Sequence, residues 1–263
     1  MPFETIDILH LGPLHLRTWG LMVGLGLFAG AAISARLAPR RGVGADRIWS
    51  LTLVTALSGL LGARVLWALQ PALIERTLEN PLIALQVWDG GLTFVGGLIG
   101  ATIGGAVYLR RAGVPLFRTL DVVAPGFGVG LAIGRIGCYL TGLHPGKPTS
   151  LPWGIDYLGA IRHPIPLYEA ALGLALAGLA FWLLRRVESH GLVGLLTAAA
   201  YLGSRALLDL LRATNGTEGA DPRLVADLTL TQGVALVMVP LLVVLIVLES
   251  TLSRVPVRAE YEG

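Results

Sequence analysis

The sequence has few charged residues and a single cysteine. Only 14% of its 263 residues are charged, against about 25% in a typical soluble domain, and its mean hydropathy is +0.71. This composition excludes a disordered chain, an ordinary soluble globule and a nucleic-acid-binding domain, so we expect no nucleic-acid partner. A lone cysteine, Cys138, also excludes an intrachain disulfide and a CxxC metal site. The class that remains is a polytopic membrane protein.

Common metal-binding and nucleotide-binding motifs are missing as well. The sequence contains neither an HExxH-type spacing nor a GxGxxG or Walker motif, and its five histidines are scattered. We therefore expect no metal and no cofactor. Residues 1–15 lack a basic segment, and we expect that they do not form a cleavable signal peptide. The histidines are His10, His15, His144, His163 and His190.

Seven hydrophobic segments are long enough, at about 20 mostly apolar residues each, to cross a bilayer as helices. They predict an all-α fold, a polytopic membrane helical bundle with about seven transmembrane helices. No repeat, linker or low-complexity tract interrupts them, so we expect one integral membrane domain over residues 1–263. The segments are Leu16–Leu37, Ile48–Leu69, Leu92–Leu109, Phe117–Leu140, Leu167–Leu184, Leu192–Leu211 and Gln232–Leu248.

The basic residues between these segments predict the orientation. One set of loops and ends holds eleven arginines, and the other holds six arginines and lysines. Because the side richer in basic residues is usually cytoplasmic, we expect the N-terminus outside and the C-terminus in the cytoplasm.

Three arginines, Arg64, Arg135 and Arg205, fall within or at the ends of hydrophobic segments. An arginine near mid-bilayer costs about 2.5–3.5 kcal/mol on insertion scales, so such a residue usually has a partner. One interpretation is structural: Arg64 and Arg135 extend to an interface, and Arg205 pairs with Asp209 one turn later. For Arg135 together with Arg205 we favour an anionic ligand, a phospholipid phosphate, which arginine binds in a forked geometry.

Glycine is frequent around Arg135. The spacing of Gly126, Gly130 and Gly134 indicates close helix packing, within the bundle or between chains. After this helix, residues 141–154 contain three prolines and three glycines, which predict an irregular loop on the outer side. The fifth helix then begins near Pro166, and a structural interpretation makes Tyr168 interfacial and Glu169 a helix-start acid.

Taken together, these segments resemble prolipoprotein diacylglyceryl transferases, bacterial inner-membrane enzymes with seven spans. Each stretch alone is a weak signal of the family, but the order of the stretches among seven spans is specific for it. The resemblance runs from residue 19 to Gln232 and is carried by residues 87–98, Gly134-Arg135-Ile136-Gly137, residues 146–149 and 151–154, His163-Pro164, Leu167-Tyr168-Glu169, and Arg205 with Asp209 and Arg212.

The resemblance implies transfer of the diacylglyceryl group of phosphatidylglycerol to the lipobox cysteine thiol of prolipoprotein signal peptides. A thioether forms and glycerol phosphate is released. By this resemblance Arg135 and Arg205 hold the phosphate, Asp209 orients Arg205, Gly142 and Gly146 shape the loop over the site, and Tyr168 belongs to the substrate-binding set. The implied partners are phosphatidylglycerol, prolipoproteins and membrane lipids, and the implied location is the bacterial inner membrane.

The chain departs from the family pattern at several positions. Val95 stands where the family has a histidine, and valine cannot accept a proton. His144 and His163 are the candidates to replace that base, and the alternative for each is a solvated loop residue. Cys138 either packs as a small residue or contacts the lipid headgroup. The other departures are Trp19 for tyrosine, Cys138 for asparagine, Leu143 for an acid and Pro166 for glutamine.

Two other functions stay open from the sequence. The first is a catalytically impaired family member that binds a phospholipid or a lipoprotein precursor. The second is a related lipid transferase with a different acceptor. A channel or transporter is disfavoured, because the sequence shows no inverted repeat and no matched pair of broken helices.

Overall fold

The computed structural model describes residues 4–11, 14–70, 73–80, 82, 91–157, 159–213 and 228–252. Within these ranges the chain is predominantly helical, which confirms the predicted all-α bundle. The elements are β1 (Ile8–Leu11), β2 (Leu14–Arg17), α1 (Thr18–Leu37), α2 (Ala45–Ala68), α3 (Ile74–Glu79), α4 (Phe94–Arg111), α5 (Leu116–Leu140), β3 (Ile155–Tyr157), β4 (Ala160–Arg162), α6 (Ile165–Arg186), α7 (Leu192–Leu208) and α8 (Leu230–Leu252). Short 3-10 turns follow α1 and α7.

Every predicted hydrophobic segment is a helix. Within the described ranges, six helical stretches are long and apolar enough to cross a membrane, as in a multi-pass membrane protein. The predicted span Leu92–Leu109 corresponds to α4, which falls outside those six because five glycines and two terminal arginines lower its hydropathy. The predicted orientation of the termini stays a prediction.

The described chain forms two compact units. One comprises Met1–Arg41 with Phe117–Gly263, and the other comprises Gly42–Leu116. The expectation of a single domain stays a prediction.

Close helix contacts in the first unit depend on glycine. A Cβ atom built on Gly26 of α1 would lie 2.6 Å from the Gly130 carbonyl oxygen of α5, and one on Gly30 would lie 2.8 Å from that of Gly126. Real Cβ contacts are almost never below 3.0 Å, so these positions exclude any side chain. Gly126 and Gly130 therefore pack within the chain. By contrast, a Cβ on Gly134 would meet nothing within 4 Å.

A buried ion pair fixes the end of α5 remote from Arg135. Arg41 lies 3.4 Å from Asp121 and donates to the carbonyl oxygens of residues 187 and 188, which follow α6. The Asp121 carboxylate accepts the backbone N–H groups of Gly191 and Gly194, at 2.8 and 3.0 Å, and so caps the start of α7. This contact joins α1, α5, α6 and α7.

The second unit is built on the packing of α2 against α4. Arg64 of α2 is buried, donates to the Gly91 carbonyl oxygen at 2.8 Å and stacks 4.1 Å from the Trp67 ring. Arg64 is therefore accommodated inside this unit, and extension to an interface is the wrong interpretation for it. Val95, where the family has histidine, lies in the first turn of α4 and is 40% exposed.

The loop predicted as irregular, residues 141–154, and the residues directly after it form short β pairings. β3 pairs with β4, Pro148 bridges to Arg162, and Gly146 bridges to Arg212 beyond α7. The Lys147 N–H donates to the Leu211 carbonyl oxygen at 2.8 Å, and the Ala213 N–H donates to that of Pro145 at 3.0 Å. These backbone bonds hold the loop against the chain that follows α7.

Candidate active site

A buried carboxylate, Glu169 of α6, is the centre of an arginine cluster. Its oxygens lie 3.1 Å from Arg135 Nε of α5, 2.7 Å from Arg205 Nε of α7 and 3.1 Å from Arg212 Nη2. Glu169 is 0% exposed. Its interpretation as a helix-start acid is wrong, because it lies one turn into α6 and three guanidiniums surround it.

Asp209 is the second carboxylate of the cluster. It forms the predicted ion pair with Arg205 and also lies 3.1 Å from Arg212 Nε. Tyr201, one turn before Arg205 on α7, lies beside both Arg135 and Arg205. Three guanidiniums thus share two carboxylates, which leaves the cluster with one net positive charge.

The cluster is closed on one side and accessible on the other. Arg205 and Arg212 are 6% and 1% exposed, whereas the Arg135 side chain is 17% exposed. Burial lowers the pKa of Arg212 to about 10, although Glu169 opposes the shift, so this guanidinium stays charged at neutral pH. An anion entering the cluster therefore meets Arg135 first and finds an uncompensated positive charge.

His144 joins the cluster through Arg212. Arg212 Nη1 lies 3.2 Å from His144 Nδ1, and because a guanidinium only donates, Nδ1 is the acceptor and Nε2 carries the proton. Burial and the Arg212 charge hold the pKa of His144 below its ordinary value, although a hydrogen bond with Cys138 opposes the shift. His144 is therefore neutral at neutral pH. Cys138 is buried beside it.

The backbone of His144 is in an unusual conformation. Its φ is +60°, the only positive φ of a non-glycine residue among the residues that the structure describes. Such a conformation is maintained by surrounding contacts and is frequent at functional sites. The Arg212 contact and the β pairings of the loop are contacts of that kind.

Backbone conformation and close packing explain why glycine occupies the two predicted loop positions. Gly142 ends α5 with φ +66°, a conformation that side-chain-bearing residues rarely adopt. Gly146 packs against His163, and a Cβ there would lie 2.6 Å from the His163 Cβ. Gly142 and Gly146 therefore set the path of the chain on either side of His144, and their predicted part in substrate binding stays a prediction.

His163 and Tyr168 form a separate hydrogen-bonded group with Trp153. Trp153 Nε1 donates to the Tyr168 hydroxyl at 2.8 Å, and that hydroxyl lies 3.3 Å from His163 Nδ1. Since the indole only donates, the Tyr168 proton is available to His163. His163 also lines a small open pocket together with Tyr139, Leu143 and Tyr157.

The structure brings together Arg135, Arg205, Asp209 and His144, and it places His163 and Tyr168 in a neighbouring group on the same loop and helix start. The sequence did not predict the roles of Glu169 and Tyr201. The available signals were an acid in an apolar helix for Glu169 and a phenol one turn before Arg205 for Tyr201. Residues 87–90 of the quoted motif lie outside the described residues.

Known proteins are similar to this chain over most of its length. The family model described as prolipoprotein diacylglyceryl transferase matches residues 7–248. The chain is similar to the phosphatidylglycerol–prolipoprotein diacylglyceryl transferase of Chromohalobacter salexigens, at 37% identity over 77% of each chain. The enzyme of the same name from Sinorhizobium medicae is 34% identical over 83% of this chain and 84% of its own. That from Geobacter sulfurreducens is 38% identical over 65% and 68%.

Proposed function

The chain belongs to the prolipoprotein diacylglyceryl transferase family, and we propose that it transfers the diacylglyceryl group of phosphatidylglycerol to the lipobox cysteine of prolipoproteins in the bacterial inner membrane. In this reaction a C–S bond forms at the glycerol carbon and the C–O bond to the phosphate breaks. Glycerol phosphate leaves, and the thiol proton passes to a base. The observation that supports the proposal most strongly is the buried cluster of three arginines that share two carboxylates.

Arg135 and Arg205 hold the phosphate in this proposal. The phosphodiester carries one negative charge, which matches the single net positive charge of the cluster. As the C–O bond breaks, negative charge grows on the leaving phosphate, and fixed guanidiniums stabilise that charge more than they stabilise the substrate. Asp209 orients Arg205, and Glu169 spaces all three arginines.

The two candidate histidines have different roles because their hydrogen bonds differ. His144 Nδ1 is occupied by Arg212, and His144 also hydrogen-bonds with Cys138, so neutral His144 assists phosphate binding by holding Arg212 in place. His163 accepts through Nδ1 from Tyr168, whose oxygen is already hydrogen-bonded by Trp153. In this proposal the thiol passes its proton to the Tyr168 oxygen while the Tyr168 hydroxyl passes its own proton to His163. Tyr168 and His163 together thus act as the base, in place of the family histidine that is Val95 here.

Turnover by the purified protein tests the proposed function. Protein in phosphatidylglycerol vesicles would be given a lipobox peptide, and glycerol phosphate release would be measured with the cysteine peptide and its serine counterpart. We expect release only with the cysteine peptide. Lipid binding without release would support the impaired family member instead, and release with another acceptor would support a related transferase.

Matched arginine variants test the phosphate role. We expect Arg135→Ala and Arg205→Ala to abolish release while the protein stays folded. Arg118→Ala is the control, because Arg118 lies on α5 but is exposed at its other end. Unchanged kinetics in Arg135→Ala would contradict the phosphate role.

The base assignment is tested by pH profiles. We expect His163→Ala and Tyr168→Phe to lower kcat about 10²–10⁴-fold and to change the pH dependence together. His144→Ala should mainly raise KM for the lipid and should change the pH dependence of kcat little. If His163→Ala keeps the wild-type profile, His163 is not the base.

A further inference from the structure

We propose that the start of α8 is a positioning element for the arginine cluster, acting from Thr229 and Gln232 through Asp209. This inference rests on the proposed function, because it concerns the same cluster. Thr229 acts through its hydrogen bond with Asp209, and Gln232 acts by fixing Thr229. Thr229, Gln232 and Asp209 are buried at 5%, 7% and 1% exposure.

The first element of the argument is a reciprocal cap. The Gln232 N–H donates to Thr229 Oγ1 at 3.2 Å, and the Thr229 N–H donates to Gln232 Oε1 at 3.0 Å. This is the capping box of a helix that begins at Leu230, and it fixes both side chains with little freedom. The Gln232 amide also donates to the Ala206 carbonyl oxygen of α7 at 3.3 Å, next to Arg205.

The second element is the proton of the Thr229 hydroxyl. Because the oxygen accepts from Gln232, its own hydrogen is free to donate, and it donates to Asp209 Oδ2 at 2.5 Å. A capping box needs only the acceptor, so this donation is an additional function of Thr229. The other Asp209 oxygen, Oδ1, contacts Arg205 and Arg212. One carboxylate therefore connects the fixed start of α8 to two guanidiniums.

This connection restrains the positions of the Arg205 and Arg212 guanidiniums. Without a donor at Oδ2, the Asp209 carboxylate rotates and loses its joint contact with Arg205 and Arg212. Stabilisation of a leaving phosphate depends on fixed geometry, and displacement by about 1 Å costs on the order of 100-fold in rate. Thr229 is thus a positioning residue for the proposed transfer.

The test separates this role from capping alone. We expect Thr229→Val to lower kcat/KM about 10- to 100-fold, as for loss of a hydrogen bond to a charged group, with most of the effect in kcat. Thr229→Ser, which keeps the hydroxyl, should restore activity. Thr102→Val is the matched control, because the Thr102 hydroxyl is exposed and donates to the Leu98 carbonyl oxygen of its own helix, outside the arginine cluster.

A double-mutant cycle with Asp209→Asn gives the decisive readout. If Thr229 acts through Asp209, Thr229→Val adds little further loss of kcat/KM in the Asp209→Asn background. Additive losses, or a folded Thr229→Ser variant as inactive as Thr229→Val, would overturn the inference. If the wild-type protein releases no glycerol phosphate, the proposed function fails. The same cycle measured on phosphatidylglycerol binding by native mass spectrometry then decides whether Thr229 positions the cluster.

Discussion

Glu169→Gln is the most informative single change in the cluster. The carboxylate contacts Arg135, Arg205 and Arg212 within 3.2 Å and is completely buried. Breaking a buried ion pair by removal of one partner costs about 3–5 kcal/mol, since the remaining charge stays buried without compensation. Here three guanidiniums lose their shared partner and the net charge of the cluster rises from one to two. We expect a loss of stability of about 3–5 kcal/mol and no measurable transfer.

Thermal unfolding in detergent checks this magnitude. At about 2–4 °C per kcal/mol for a chain of 150–250 residues, the midpoint should fall by roughly 6–20 °C. Added inorganic phosphate should raise the midpoint of Glu169→Gln more than that of the wild type, because an anion replaces the missing charge. Glu79→Gln is the control, since Glu79 is exposed on α3. A Glu169→Gln midpoint equal to that of the control would refute the electrostatic account.

Three further changes have distinct expected outcomes. As pH falls through the pKa of His144, which burial holds below its ordinary value, a proton on Nδ1 breaks the bond with Arg212 and adds a positive charge beside the cluster. Affinity for the anionic lipid should therefore rise as the pH is lowered, and His144→Asn should remove that dependence in a binding titration. Gly130→Val should prevent folding by its clash with the Gly26 carbonyl, whereas Gly134→Val should fold normally in size-exclusion chromatography. Gly142→Ala should lower the free energy of unfolding by about 1–2 kcal/mol because φ is +66° there.

Apolar length predicted the helices because a transmembrane helix is specified by local composition. The predicted ends lie close to the observed ends, as in Phe117–Leu140 against Leu116–Leu140. Pairings between distant segments were not predicted. The bridge between Gly146 and Arg212 joins residues 66 apart, and its backbone bonds leave no periodic signal in either segment.

Part of the site was also predictable from local sequence alone. Arg135 and Arg205 are conspicuous in apolar segments, and the spacing of Arg205 and Asp209 predicts their ion pair. Glu169 was misinterpreted because an acid near a helix start has a common local explanation. Only the packing of α5, α6 and α7 shows that this carboxylate is shared by three arginines from different parts of the chain.

The charge balance of the reaction links the arginine cluster with the His163–Tyr168 pair. Transfer converts a phosphodiester of one negative charge into a monoester that approaches two, with a second pKa near 6, while the thiol loses a proton. The arginine cluster, with one net positive charge, neutralises the substrate but not the product. A base that keeps the thiol proton nearby supplies the missing positive charge during the reaction. His163, bonded to the Tyr168 that precedes Glu169, is suited to that task, whereas His144 would have to break its bond with Arg212 to accept a proton at Nδ1.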